Sequence, residues 1–129
     1  MTVTPAGHTR AADPMRDFLA GAVRLHVLHH ASQGQVHGSW LMAELARHGH
    51  KLSPGTLYPL LHRMEQAGLL ASRVEVGGGH RRRFYQATDA GRSALASCRQ
   101  ALAELAAELL PGGQAGQRVA SRTGAGGRR

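Results

Sequence analysis

Apolar residues recur at helical spacing in four segments, and two runs of strand composition flank a glycine-rich turn. Together these predict a mainly α fold carrying a two-stranded β-hairpin. The 129 residues suffice for one domain with a modest core. Asp13-Pro14 opens the first helix: a capping carboxylate, then a proline at the position where a missing N–H costs nothing. Phe18, Ala22, Leu25 and Leu28, with Leu19, Val23 and Val27 beside them, make a broad apolar face expected to turn inward as far as about His30. Ser32-Gln33-Gly34-Gln35 breaks it. A shorter helix is expected from about Gly38 to His48, with Leu41, Leu45 and either Trp40 or Met42 inward, and Gly49 as its stop.

The third helix starts with Ser53 as N-cap and Pro54 at the first helical position, and Gly68 ends it. Leu57, Leu60, Leu61 and Met64 recur at helical spacing and are expected in the core. The opposite face holds Gly55, Thr56, Tyr58, Pro59, His62, Arg63 and Gln66, all small, polar, basic or aromatic with a hydroxyl. Pro59 has no amide hydrogen, so the carbonyl of Gly55 loses its usual helical partner. Glycine at that position gives the first turn room to adjust. The expectation is a tightened or bent first turn, Pro54 to Tyr58, that directs its amides and the hydroxyls of Ser53, Thr56 and Tyr58 towards phosphate. Two short helices joined by a tight turn, the second with such a face, make a helix-turn-helix.

LLASRVEV (Leu69 to Val76) and RRRFYQA (Arg81 to Ala87) then read as the strands of a hairpin with three arginines at its tip. A hairpin directly after such a helix is a wing. Alternation along the strand sends Arg81 and Arg83 to one face and Arg82 to the other. Thr88-Asp89 caps a last helix, in which Leu95, Cys98, Leu102, Leu105 and Leu109 step by three and four. That is a narrow seam of coiled-coil type, suited to pairing with another subunit. The expected organisation is a flexible N-terminus (1–13), a winged helix-turn-helix DNA-binding domain (14–91), a C-terminal dimerisation helix (92–110) and a disordered basic tail (111–129).

Charge points the same way. The formal surplus is +8, almost all of it arginine, with Lys51 the one lysine. The Gly-, Ser- and Arg-rich tail from Pro111 contributes four arginines and no acid, leaving +4 for the rest. A surplus of that kind favours a polyanionic partner. One cysteine, Cys98, excludes an internal disulfide and fits a reducing interior. No apolar run reaches the roughly 20 residues of a membrane helix, and the polar stretch MTVTPAGHTRAAD is not expected to act as a secretory signal. The expected location is the cytoplasm, without a membrane partner. Cys98 lies on an apolar seam with no activating base nearby, so nucleophilic catalysis is not expected. Of the nine histidines, His26, His29 and His30 share one helix at spacings of three and four, which can hold a divalent metal. The plainer alternative for them is a polar helix edge. No HExxH, CxxC or phosphate loop accompanies them, and no cofactor is required.

These residues resemble the PadR family of transcriptional regulators. The resemblance rests on Val36-His37-Gly38, on LSPGTLYPLLHRMEQAGLL (Leu52 to Leu70) and on RRRFYQATDAGRSAL (Arg81 to Leu95), and spans about Phe18 to Leu109. Ser39-Trp40 stands where the family commonly has a tyrosine, and Ala87 where leucine is usual. The resemblance implies a homodimeric repressor without enzymatic activity, whose C-terminal helix packs on the partner's N-terminal helix. A single short C-terminal helix is similar to the family's small-subunit branch. The combined expectation is an effector-responsive repressor of double-stranded DNA, binding an inverted repeat, with a small molecule or a metal ion as effector. Ser53, Thr56, Tyr58, His62 and Arg63 are the expected groove and phosphate contacts, Arg81, Arg82 and Arg83 the wing contacts, and Leu95, Leu102, Leu105 and Leu109 the dimer seam. Two rivals use the same residues otherwise: a winged-helix protein–protein adaptor, and a small metal-dependent enzyme built on the histidines.

Overall fold

The computed structural model describes residues 13–112. In chain order they form α1 (Pro14–Gln33), β1 (Val36–His37), α2 (Gly38–Arg47), α3 (Pro54–Gln66), β2 (Leu70–Gly77), β3 (His80–Ala87) and α4 (Asp89–Leu109). Two compact units divide after Arg92: the first holds everything up to the first turn of α4, the second the remainder of that helix. The expected loose N-terminus and most of the basic tail lie outside the described residues.

Each helix start follows from its local sequence. Asp13 Oδ1 accepts the amide of Met15 at 3.1 Å, one of the donors a first turn leaves unpaired. His37 caps α2, its Nδ1 accepting the amide of Trp40 at 3.3 Å. Thr88 Oγ1 accepts the amide of Gly91 at 3.0 Å and donates to the carbonyl of Gly68 at 2.6 Å, so one hydroxyl joins the end of α3 to the start of α4. Gly91 is required there, because a Cβ would overlap the carbonyl oxygen of Leu69.

The core of the first unit draws Val23, Val27, Leu28 and Ala31 from α1, Leu41 and Leu45 from α2, and Leu57, Leu60, Leu61 and Met64 from α3. Leu70, Tyr85 and Ala87 close it from the sheet. Each such leucine stabilises the fold by about 1.5–3 kcal/mol relative to solvent exposure. The apolar face of α3 is as expected. That of α1 is not: Phe18, Leu19 and Met15 are exposed, and the buried line runs Val23, Val27, Ala31. The apolar arc of α1 is wider than its neighbours in this unit can cover, and its first turns lie before the contact begins. Trp40 is also exposed, while Met42 is half-buried.

The sheet has three strands rather than the two of the expected wing, in the order β1-β3-β2, both pairings antiparallel. Val36 pairs with Tyr85 and His37 with Phe84. In the hairpin Gly77 pairs with His80, leaving Gly78-Gly79 as the turn. Their φ angles are 56° and 78°, the positive pair that a two-residue hairpin turn of this hand demands. The tip is therefore glycine. Arg81, Arg82 and Arg83 follow it along β3, opposite Val76, Glu75 and Val74.

Candidate nucleic-acid interface

The helix α3 presents the face on which recognition rests. With Leu57, Leu60, Leu61 and Met64 inward, Gly55, Pro59, His62 and Gln66 occupy the centre of the exposed side. Thr56 and Arg63 lie on one flank, Tyr58 and Glu65 on the other. All the expected contact residues of α3 are exposed. Gln66 belongs with them, a residue placed on the polar face by periodicity but not singled out as a contact.

The first turn keeps α-helical form through Pro59. At its start the carbonyl of Ser53 accepts from both Thr56 N at 3.0 Å and Leu57 N at 2.9 Å, a shared bond common at helix ends. Ser53 holds the N-cap position, but its side chain makes no capping bond to the backbone. Its hydroxyl donates to Thr56 Oγ1 at 3.3 Å, so the two hydroxyls form a pair. Tyr58 is 41% exposed, yet its ring covers Gly38 so closely that a Cβ there would overlap the phenol oxygen. Gly38 thus sets how near the start of α2 approaches α3. The two quoted motifs, Val36-His37-Gly38 and Leu57-Tyr58-Pro59, meet in space.

The wing carries its arginines on two faces. Arg81 and Arg83 share a face with Tyr85 and with Ser72, Val74 and Val76 across the hairpin, the face that packs towards α3. Arg83 Nη1 donates to Ser72 Oγ at 3.0 Å, and Ser72 donates to Glu65 Oε2 on α3 at 2.8 Å. This chain fixes the wing's basic side against the exposed helix. Arg82 lies on the other face, its Nη1 3.5 Å from His37 Nε2. That face is internally paired: Arg73 meets Glu75 at 2.7 Å, bonds Gln35, and stacks over Phe84 at 5.4 Å. Sequence alternation separated Arg82 from its neighbours, and the structure does the same.

Beside α3, Leu19, Val23, Arg24, Lys51, Thr56 and Arg63 help to line an open groove of about 400 Å³. Its floor is apolar and its edge basic. On α4, Leu95 is buried, whereas Leu102, Leu105 and Leu109 are 48%, 45% and 66% exposed. Cys98 is half-buried and unpaired by any disulfide.

The histidines gather between α1 and α2. His26 stacks on His48 with ring centroids 5.0 Å apart and meets His50 edge-on at 5.2 Å. His29 and His30 touch edge-on at 4.9 Å, and Trp40 lies against His30 at 5.2 Å. Glu44 receives them: its Oε2 lies 3.7 Å from His30 Nε2 and 3.2 Å from His48 Nε2. Arg47 Nε reaches Oε1 of the same carboxylate at 3.2 Å. Partial burial, and then the imidazoles of His48, His50, His30 and His29, hold the His26 pKa below its ordinary value. Partial burial and His29 do the same to His30, against the pull of Glu44. As the side chains stand, no three donors among the described residues surround a point as a metal ion requires. The trio His26, His29, His30 is therefore not a ready ligand set by itself. His48, His50 and Glu44, which sequence spacing did not single out, join it only through the packing of α1 on α2.

Residues 27–97 match the PadR-like transcriptional regulator family. The chain is 59% identical over 98 residues to the transcriptional regulator Rv3488 of Mycobacterium tuberculosis, a match covering 76% of this chain and 92% of that protein. A crystal structure of a PadR family transcriptional regulator from Eggerthella lenta superposes with a TM-score of 0.64 at 29% identity, covering 84% of this chain and 99% of that one. A PadR-like transcriptional regulator from Bacillus cereus gives the same TM-score at 31% identity, over 74% and 98% of the two chains. No helix among the described residues is long and apolar enough to cross a membrane.

Proposed function

Because the chain belongs to the PadR-like family of transcriptional regulators, DNA-binding proteins and not enzymes, we propose that it is a homodimeric, effector-responsive repressor of an inverted-repeat operator, acting in the cytoplasm. The observation that carries this reading is the exposed face of α3, joined by the Glu65–Ser72–Arg83 chain to the basic side of the wing. In such an arrangement α3 enters the major groove. Thr56, His62, Arg63 and Gln66 reach base edges or flanking phosphates. The hydroxyls of Ser53 and Thr56, at the positive end of the helix, meet phosphate. Tyr58 positions α3 through its contact with Gly38 and offers its hydroxyl at the rim. Arg81 and Arg83 reach the backbone or minor groove beside the helix, and Arg82 serves a phosphate on the outer side.

One winged domain offers few contacts, and two related by a two-fold axis double them. The leucines of α4 supply a seam for that pairing, and the exposed Met15, Phe18 and Leu19 of α1 supply apolar surface for a partner's helix. Half-sites are then expected about one helical turn apart, or a multiple of it. A footprint on the DNA upstream of the protein's own gene, followed by a salt titration, tests the reading. Each phosphate neutralised contributes about 0.9 to the slope of log affinity against log salt. A slope near zero would instead fit the protein–protein adaptor.

A further inference from the structure

DNA recognition makes no use of the imidazoles between α1 and α2. We propose that His26, His30 and His48, with the Glu44 carboxylate, form a binding site for a divalent transition metal of the zinc class, and that this ion is the effector. The effector half rests on the regulator reading above; the site itself does not.

Three observations carry the site. Two imidazole nitrogens, one from α1 and one from the residue that caps the end of α2, already lie near one carboxylate oxygen, at 3.7 and 3.2 Å from Glu44 Oε2. In a tetrahedral zinc site, with metal–ligand distances near 2.0–2.1 Å, neighbouring donor atoms lie about 3.3 Å apart. The third histidine lies close by: the His26 ring centre is 5.0 Å from that of His48 and 6.3 Å from that of His30. Finally, the carboxylate is held from behind. Arg47 occupies Oε1 at 3.2 Å, its second nitrogen reaching Oε2 at 3.4 Å, so Glu44 stays turned towards the histidines as supporting residues do in metal centres.

Side-chain torsions separate this arrangement from closure. The His26 ring lies parallel to that of His48, within 28°, and must swing so that its nitrogen points at the shared oxygen. His50 flanks His26, and His29, in contact with His30 on its own helix, is a neighbour and not a ligand. A set of imidazoles and one carboxylate, without thiolate, suits zinc, cobalt or nickel and not the copper(I) that sulfur selects. Closure would tie α1 to the end of α2, just before the Gly49 turn that leads into α3. The angle at which α3 is presented then depends on the ion.

Cobalt(II) titrated into the metal-free full chain tests the site without DNA. The expected result is one ion per subunit with the intense visible absorption of tetrahedral cobalt. Glu44→Gln and His48→Gln should each weaken binding by about 100-fold or more, while His80→Gln, on the wing, should bind as the parent does. Circular dichroism melts of the metal-free variants establish that each is folded. No binding, the pale spectrum of an octahedral ion, or equal affinity in all variants would overturn the site. Zinc should then shift operator affinity by about 10-fold or more in the parent and not in His48→Gln. Metal bound at the cluster with operator affinity unchanged would overturn the effector role. Metal-free protein that failed to bind any operator would instead count against the regulator reading, leaving the cobalt result standing.

Discussion

Helices α3 and α4 carry the same kind of leucine pattern and meet opposite fates. In α3, Leu57 and Leu61 are wholly enclosed and Leu60 and Met64 nearly so. In α4, Leu102, Leu105 and Leu109 are each about half exposed or more. Periodicity declares that a face seeks cover; it does not say from where. The α3 face is covered within its own unit by α2 and β2. Among the described residues Leu102, Leu105 and Leu109 of the α4 seam stay exposed, and a second copy of the chain is the cover proposed for them.

The sharpest way to separate the two helices is truncation. Leu61→Ala should cost about 2–5 kcal/mol in denaturant unfolding, the range for a leucine lost from a tight core. Leu105→Ala should change the stability of the isolated subunit by no more than about 0.5 kcal/mol. Equal losses at the two positions would mean that the α4 seam is already covered within the subunit. A charge on the seam should act on assembly instead: Leu102→Glu should weaken dimerisation and operator binding together, each by about 100-fold, because each half-site alone is marginal. Gel shifts beside sedimentation would show whether the two losses track one another.

Between α2 and α3 the cover is a single ring. Gly38→Ala should destabilise the fold by about 1–3 kcal/mol, because the added methyl group overlaps Tyr58. In a Tyr58→Ala background the same change should cost under about 0.5 kcal/mol. A cost that persisted without the ring would place the strain in the α2 backbone. The smallest effects are expected at the wing, where Arg81→Ala and Arg83→Ala should each weaken binding to every sequence and lower the salt slope by about 1. An altered base preference with an unchanged slope would remove both from the phosphate contacts.

How much of this was legible in the sequence follows from the same contrast. The α3 core face, the Asp13 and Thr88 caps and the alternation of Arg81, Arg82 and Arg83 are local, set by spacings of two to four residues, and they stand as expected. The strand β1 is two residues long, too short to have a period, and only its pairing with β3 defines it. Phe18 and Leu19, and Trp40 as the alternative to Met42, lie on or beside apolar faces and so read as inward, yet nothing in a helical wheel limits how wide an arc a neighbour can cover. Glu44, His48 and His50 were invisible as companions of His26 and His30 because 14 to 24 residues separate them in the chain. Tertiary packing alone brings them together. The overlap of Gly38 with Tyr58 had a signal, since both lie in the motifs that carried the family resemblance, but their contact spans two elements.

The central claim is that the α4 seam is completed by a second copy. Sedimentation of the full chain at micromolar concentration tests it most directly, against a subunit mass of 13.7 kDa. A species of twice that mass, falling to the subunit mass in Leu102→Glu, is the predicted result. A parent chain that sediments at 13.7 kDa, or a Leu102→Glu variant that remains dimeric, would contradict it.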